Sequence, residues 1–277
     1  MQWTIRLRCD FSGGYVLRSA VGNKKEVAEI FSGSRPLFLH ELHVPSTLRV
    51  VVLAPHPDDF DAIGATMRLF RDNGNAIHVA VLTSGASGVE KGFRGAITST
   101  AMGELRENEQ RASCKFFGLP ESHLTFLRLA EDDSGHPLED TANFENVRSY
   151  LQASRPDLVF LPHGNDSNRG HRCTYSLFRR CMEKENLSLV SCLNRDPKTI
   201  AMRNDLLMVF DTEVGIWKAE LLRFHLSQHS RNLNTRGYGF DERILKSNKQ
   251  TAEELGISGE YVESFELEGY GVASLAD

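Results

Sequence analysis

One histidine and three carboxylates crowd into a single short stretch of this chain, Pro55-His56-Pro57-Asp58-Asp59-Phe60-Asp61. The two prolines flanking His56 have fixed φ and stiffen the loop. His56 and Asp59 are three residues apart, so one turn can aim both at a common point, whereas Asp58 between them need not share that direction. An imidazole and a carboxylate suit zinc, and a catalytic zinc keeps one position open for water. Two rival readings exist. The carboxylates could do no more than favour the positive end of a following helix, or an Asp-rich strand end could bind magnesium and phosphate.

A third ligand has to come from another part of the chain. The segment Pro162-His163-Gly164-Asn165-Asp166-Ser167-Asn168-Arg169-Gly170-His171 places two histidines in a Gly- and Asn-rich loop. From the residues alone, either His163 or His171 can complete the shell.

Both segments follow apolar runs that read as buried strands. LRVVVLA (48–54) runs directly into the first cluster, and DLVFLP (157–162) into the second. Such continuous β-branched and aliphatic runs are expected of strands covered on both faces. AIHVAVLT (76–83), HLTFLRL (123–129) and LLMVFDT (206–212) supply further strands. Helical spacing of apolar residues predicts helices over 61–73, 104–118, 141–153, 172–185 and 215–229. The alternation predicts a Rossmann-like α/β fold: a mostly parallel sheet with helices on both faces. Ligands of such sheets bind at the carboxyl ends of the strands, where both clusters fall. Residues 1–47 differ. Alternation over 3–9, a turn at Phe11-Ser12-Gly13-Gly14 and extended character over 15–21 predict a β-hairpin extension. Pro45-Ser46 then marks a boundary before a main domain over 48–277.

The PHPDDFDAIG segment resembles the HPDD signature of the PIG-L/LmbE-like zinc N-deacetylases, which remove acetyl groups from N-acetylglucosamine-type sugars. The resemblance extends over roughly residues 48–268. TSGASG (83–88) is similar to the family's loop after the second strand. Arg106-Glu107-Asn108-Glu109, followed by Gly118-Leu119, resembles its R-x-x-E helix, and Lys218 with His225-Leu226-Ser227-Gln228 its late K…H-x-S-Q helix. The resemblance implies zinc as cofactor, with His56, Asp59 and His171 as ligands. It makes Asp58 the base that activates the zinc-bound water, and Arg106 a residue lining the substrate site.

Two departures from the family pattern stand out. Phe60 replaces the glutamate of HPDDE. The distal His-x-Asp pair, which precedes the third ligand and serves the oxyanion or the leaving amine, is replaced by Asn168 and Gly170. Asn168 can donate a hydrogen bond to an oxyanion but cannot act as a general acid. His163 and Arg169 are the candidates to compensate at the substrate. Restoring the pattern through Asn168→His with Gly170→Asp is expected to raise activity if position 170 accepts a side chain; a positive φ at Gly170 would prevent it.

The remaining candidates have plain structural readings. Arg106 and Glu109 can form an i,i+3 ion pair. Asp61 reads as a helix-start carboxylate, and His78, His123 and His136 as structural. The net charge of −5 over 277 residues argues against a nucleic-acid-binding face. The five cysteines show no Cys-x-x-Cys spacing, as expected of free thiols in a reducing compartment. The N-terminal segment lacks the apolar run of a secretion signal, and no stretch of eighteen apolar residues is long enough to span a membrane. A cytoplasmic enzyme is the expectation, hydrolysing the amide of a small N-acetylated sugar or conjugate, and a homo-oligomer is compatible with it. The lost His-x-Asp pair motivates one rival, a metal- or sugar-binding protein without catalysis. A magnesium-dependent phosphoryl-transfer enzyme is the other, disfavoured by the two histidines and the absence of a Walker loop.

Overall fold

The computed structural model describes residues 27–185, 187–272 and 275. The hairpin expected before residue 22 lies outside them. Eight strands form one sheet in the order β1-β7-β8-β6-β5-β2-β3-β4. They are β1 (Leu37–Phe38), β2 (Arg49–Ala54), β3 (Ala76–Val81), β4 (Leu124–Phe126), β5 (Leu158–Pro162), β6 (Leu189–Asn194), β7 (Leu206–Phe210) and β8 (Tyr261–Tyr270). All pairings are parallel except those of β8, which runs antiparallel to both β6 and β7. The mostly parallel Rossmann-like sheet is therefore as the alternation predicts.

Period-two alternation along β2 shows why the strand reads as continuously apolar. Val50, Val52 and Ala54 enter one core with Phe60, Met67, Phe70, Phe117 and Phe160. Val51 and Leu53 enter the other, with Val147, Leu151, Leu177 and Phe178. Helices therefore cover both faces. Helices α1 (Asp59–Ala62), α2 (Gly64–Asp72), α3 (Ser99–Phe117) and α6 (Thr212–Leu222) contribute to the first core, and α4 (Thr141–Ser154) and α5 (Arg169–Lys184) to the second. Helices α7 (Leu226–Arg236) and α8 (Phe240–Leu255) follow α6.

Several boundaries depart from the sequence reading. LVSCLN (189–194) and YVESFELEGY (261–270) are strands, and residues 240–255 a helix, none of which the apolar pattern announces. In β8, Glu263 is buried because it binds the ammonium of Lys218 at 2.6 Å and the backbone N–H groups of Ala65 and Thr66. Polar residues that are paired inside the core defeat a hydrophobicity reading. The expected helix over 215–229 is two helices, and His225 lies at the break between them. Helix α3 begins at Ser99 because Thr98 caps it, its Oγ1 accepting from Ala101 N at 3.1 Å. Leu37 and Phe38 pair with β7 in the main sheet, and Phe31 and Leu39 enter the first core. Among the described residues no helix is long and apolar enough to cross a membrane.

Candidate functional site

The chain reverses direction across the sheet between β2 and β5. From β2 it proceeds outward to β3 and β4, and from β5 to β6 on the other side. Loops leaving the carboxyl ends of two such strands diverge and open a crevice. The loop after β2 carries His56 to Asp59, and the loop after β5 carries residues 163–168 into α5. Pro55 is pinned to the end of β3, its carbonyl accepting from Thr83 Oγ1 at 2.7 Å and Thr83 N at 3.0 Å.

These loops bring His56, Asp59 and His171 together, with one ligand atom of each lying within 4.8 Å of the others. Asp59 Oδ2 accepts the backbone N–H of His56 at 2.8 Å and lies 3.2 Å from its Nδ1. Asp59 Oδ1 lies 3.5 Å from His171 Nε2. On the far side, His171 Nδ1 meets Asp166 Oδ2 at 3.1 Å. Burial opposes charge on both Asp59 and His171, but their mutual attraction prevails. His171 and His56 hold the Asp59 carboxyl well below the usual carboxylate range. Asp59 and Asp166 push the His171 imidazole up to about 10. The centre, buried at His171 and half-buried at His56 and Asp59, thus favours positive charge between two carboxylates. Its donor set, two imidazoles and a carboxylate with a second carboxylate orienting one ring, fits zinc.

Asp58 is held beside this trio in an uncommon backbone conformation, with φ 124°. Such a residue costs about 1–3 kcal/mol and persists only where its surroundings dictate it. Helix α3 provides those surroundings. Gln110 Oε1 accepts the Asp58 N–H at 2.9 Å, and Arg106 Nη2 donates to Asp58 Oδ2 at 3.1 Å and to the Pro57 carbonyl. Arg106 does not pair with Glu109. Glu109 instead accepts from Ser227 N and Oγ, both at 2.7 Å. Asp61 is not a helix-start carboxylate on the surface. It is fully buried and accepts from His225 Nε2 at 2.6 Å, Gln110 Nε2 and Ser113 Oγ. The R-x-x-E and H-x-S-Q segments are therefore braces that fix the β2 loop to α3 and α7.

The trio opens into a cleft of about 290 Å³ whose walls include Asp58, Arg106, Asn168 and Gln228. His163 and Arg169 are not among its lining residues. His163 Nε2 lies 3.3 Å from Glu266, and Arg169 pairs with Asp132 at 2.9 Å. Asn168 caps α5, its Oδ1 accepting from Gly170 N at 3.0 Å. Lining residues that went unremarked in the sequence or were read as structural include His136, Asp196, Lys198, Arg231 and Arg243. Burial lowers the pKa of His136, and its Nδ1 has no hydrogen-bond partner among the described residues. Asp166, the partner of His171, stands in the quoted loop, and its spacing of five from His171 was the signal available. Asp196 and Lys198 follow β6, a strand the apolar pattern missed.

Gly170 does not lack a side chain for the reason expected. It lies in α5 without a positive φ. A Cβ there would stand 2.9 Å from His56 Nε2 and 3.0 Å from its Cε1. Gly170→Asp is therefore expected to displace the His56 ring rather than restore activity. At the usual cost of overpacking, about 1–3 kcal/mol, the affinity of a metal held through His56 should fall by roughly five- to 150-fold. Chelator competition on the purified variant measures it, and unchanged affinity would show that His56 is not a ligand or that its ring yields freely.

The family model for PIG-L, GlcNAc-PI de-N-acetylase, matches residues 51–182. A search of curated protein sequences gives no match. Among solved structures, N,N'-diacetylchitobiose deacetylase from Pyrococcus horikoshii is 18% identical with a TM-score of 0.67, covering 93% of this chain and 95% of that one. A deacetylase of teicoplanin biosynthesis is 14% identical with a TM-score of 0.61, covering 81% of this chain and 100% of that one. GalB, the 4-carboxy-2-hydroxymuconate hydratase from Pseudomonas putida KT2440, is 17% identical with a TM-score of 0.62, covering 82% and 99%. These neighbours share the fold while differing in reaction, so fold alone does not select a chemistry. Residues 51–182, which carry both the HPDD loop and His171, are the part of the chain that matches the PIG-L family.

Proposed function

We propose that this chain is a zinc-dependent N-deacetylase acting on an N-acetylated amino sugar or sugar conjugate. The observation that carries the reading is the convergence of His56, Asp59 and His171 at the strand switch point, with Asp58 fixed beside them. His56, Asp59 and His171 would hold the zinc. Bound there, zinc supplies Lewis acidity that polarises the amide carbonyl and acidifies water.

The chain's own residues supply the rest. Arg106 occupies Asp58 Oδ2, while Asp58 Oδ1 has no hydrogen-bond partner among the described residues. Oδ1 takes the proton of the attacking water and returns it to the departing amine nitrogen, because Asn168 cannot donate one. The Arg106 guanidinium, 2% exposed, keeps the carboxylate aimed through its bond to Oδ2. Asp166 fixes the His171 ring so that Nε2 faces Asp59. The cap made by Asn168 sets the first turn of α5, and with it the position of His171.

Metal analysis of the purified protein, combined with an acetate-release screen over N-acetylated sugars, tests the reading. One zinc per chain and acetate release from at least one sugar are expected. A zinc-loaded protein that releases no acetate would favour the second reading, a binding protein of the same fold. The replacements at Asn168 and Gly170 are the observation in its favour.

A further inference from the structure

We propose that the cleft carries a subsite for an anionic group, a phosphate or a carboxylate, borne by the sugar substrate. The inference rests on the deacetylase reading and adds the class of substituent. Three cationic side chains line the cleft from separate elements: Lys198 from the loop after β6, Arg231 from α7 and Arg243 from α8. All three lie beyond residue 182, outside the matched family segment.

None of the three is neutralised by a described carboxylate. Arg49, Arg128, Arg169 and Arg223 each pair with a carboxylate, at 3.3, 2.7, 2.9 and 2.7 Å. Among the described residues, Lys198, Arg231 and Arg243 form no such pair. Asp196, two residues from Lys198, accepts its backbone N–H at 2.8 Å and not its ammonium. Arg231 Nη1 donates only to the Gly88 carbonyl, at 3.2 Å. The other cation of the cleft, Arg106, is committed to Asp58. In a chain with 37 acidic and 32 basic residues, carboxylates are plentiful enough to pair these cations, yet none of the described ones does so.

Unpaired cations in a concave, partly desolvated wall focus a positive potential on whatever enters it. Guanidinium groups add a fork that matches phosphate or carboxylate oxygens in two parallel hydrogen bonds. Phe240 and Ile244 stand beside Arg243 in the same wall and lower the local dielectric, which strengthens such bonds. A neutral sugar would leave all three charges without a partner.

The test titrates the zinc-loaded full chain with N-acetylglucosamine, N-acetylglucosamine 1-phosphate and N-acetylmuramic acid. At least one anionic sugar is expected to bind about tenfold or more tightly than the neutral one, with an advantage that shrinks as salt rises. Preference for the phosphate ester or for the carboxylate identifies the group. The advantage should fall about tenfold in Arg243→Ala and disappear in the triple variant Lys198→Ala, Arg231→Ala, Arg243→Ala. Arg231→Ala, at an exposed position, provides a folded comparison if the triple variant is unstable. Equal affinity for the three sugars, no binding of any, or a preference that survives loss of the cations overturns the proposal. Acetate release is followed on the same samples. Tight binding of an anionic sugar without release would remove the deacetylase reading and leave the subsite standing.

Discussion

His171→Ala is expected to weaken zinc binding by about 100-fold or more, because it removes one of the three ligands proposed for the metal. The ring is 2% exposed and lies between Asp59 and Asp166, so no surface side chain can swing in to replace it. Asp166→Asn should have a smaller effect, about 10- to 100-fold, the range for losing a carboxylate that orients a ligating imidazole. His163→Ala should leave affinity unchanged, since that imidazole faces Glu266 outside the cleft lining. Chelator competition on the three variants, together with their melting temperatures, reads both effects. His171→Ala also leaves the buried Asp166 without its counter-charge and Asp59 with that of His56 alone, so some loss of stability should accompany the loss of metal. Full zinc in His171→Ala with loss in His163→Ala would transfer the third ligand to the other histidine.

The parts of this site that were legible in the sequence share a property. The His56–Asp59 cluster and His171 follow β2 and β5, strands buried on both faces whose apolar runs are unbroken. A strong strand pattern places the loop after it, and the types of residue in that loop then suggest the chemistry. Where that pattern fails, its loop is lost as well. β8 alternates carboxylates that are buried through specific partners, Glu263 with Lys218 and Glu266 with Arg203. Lys198 and Asp196 follow β6, whose six residues include Ser191 and Asn194. Arg243 lies on a helix whose inward face includes Asp241 and Asn248, so no apolar stripe marks it. Asp61 was misread for a related reason. Its burial depends on His225, 164 residues away, and no local pattern encodes that pairing. The obstacle at Gly170 is likewise a contact between distant parts of the chain, the ring of His56 in the loop after β2 against the first turn of α5.

Asp58→Asn is expected to lower the turnover number by about 10²- to 10⁴-fold, the scale of a lost general base, while zinc content and fold are preserved. The substitution is chosen to change one property. Asparagine tolerates a positive φ as aspartate does, so the loop conformation at φ 124° should survive. Its carbonyl oxygen can still accept from Arg106 Nη2, and its N–H from position 58 still reaches Gln110 Oε1. The ligand trio does not include position 58, so metal affinity should match wild type. What is lost is the negative charge and the lone pair that takes the water's proton. Asp58→Ala is the poorer test, because it leaves the buried Arg106 guanidinium without its carboxylate, a loss on the order of 3–5 kcal/mol for a broken buried pair, and confuses instability with catalysis. The comparison is steady-state acetate release by wild type and Asp58→Asn at matched zinc content, on the sugar that the screen identifies. Equal KM with a lower turnover number is expected, since the carboxylate acts in the transition state rather than in holding the sugar. A variant that turns over within a few-fold of wild type would remove Asp58 from proton transfer, and the strained backbone at that position would then serve to aim Arg106 rather than a base.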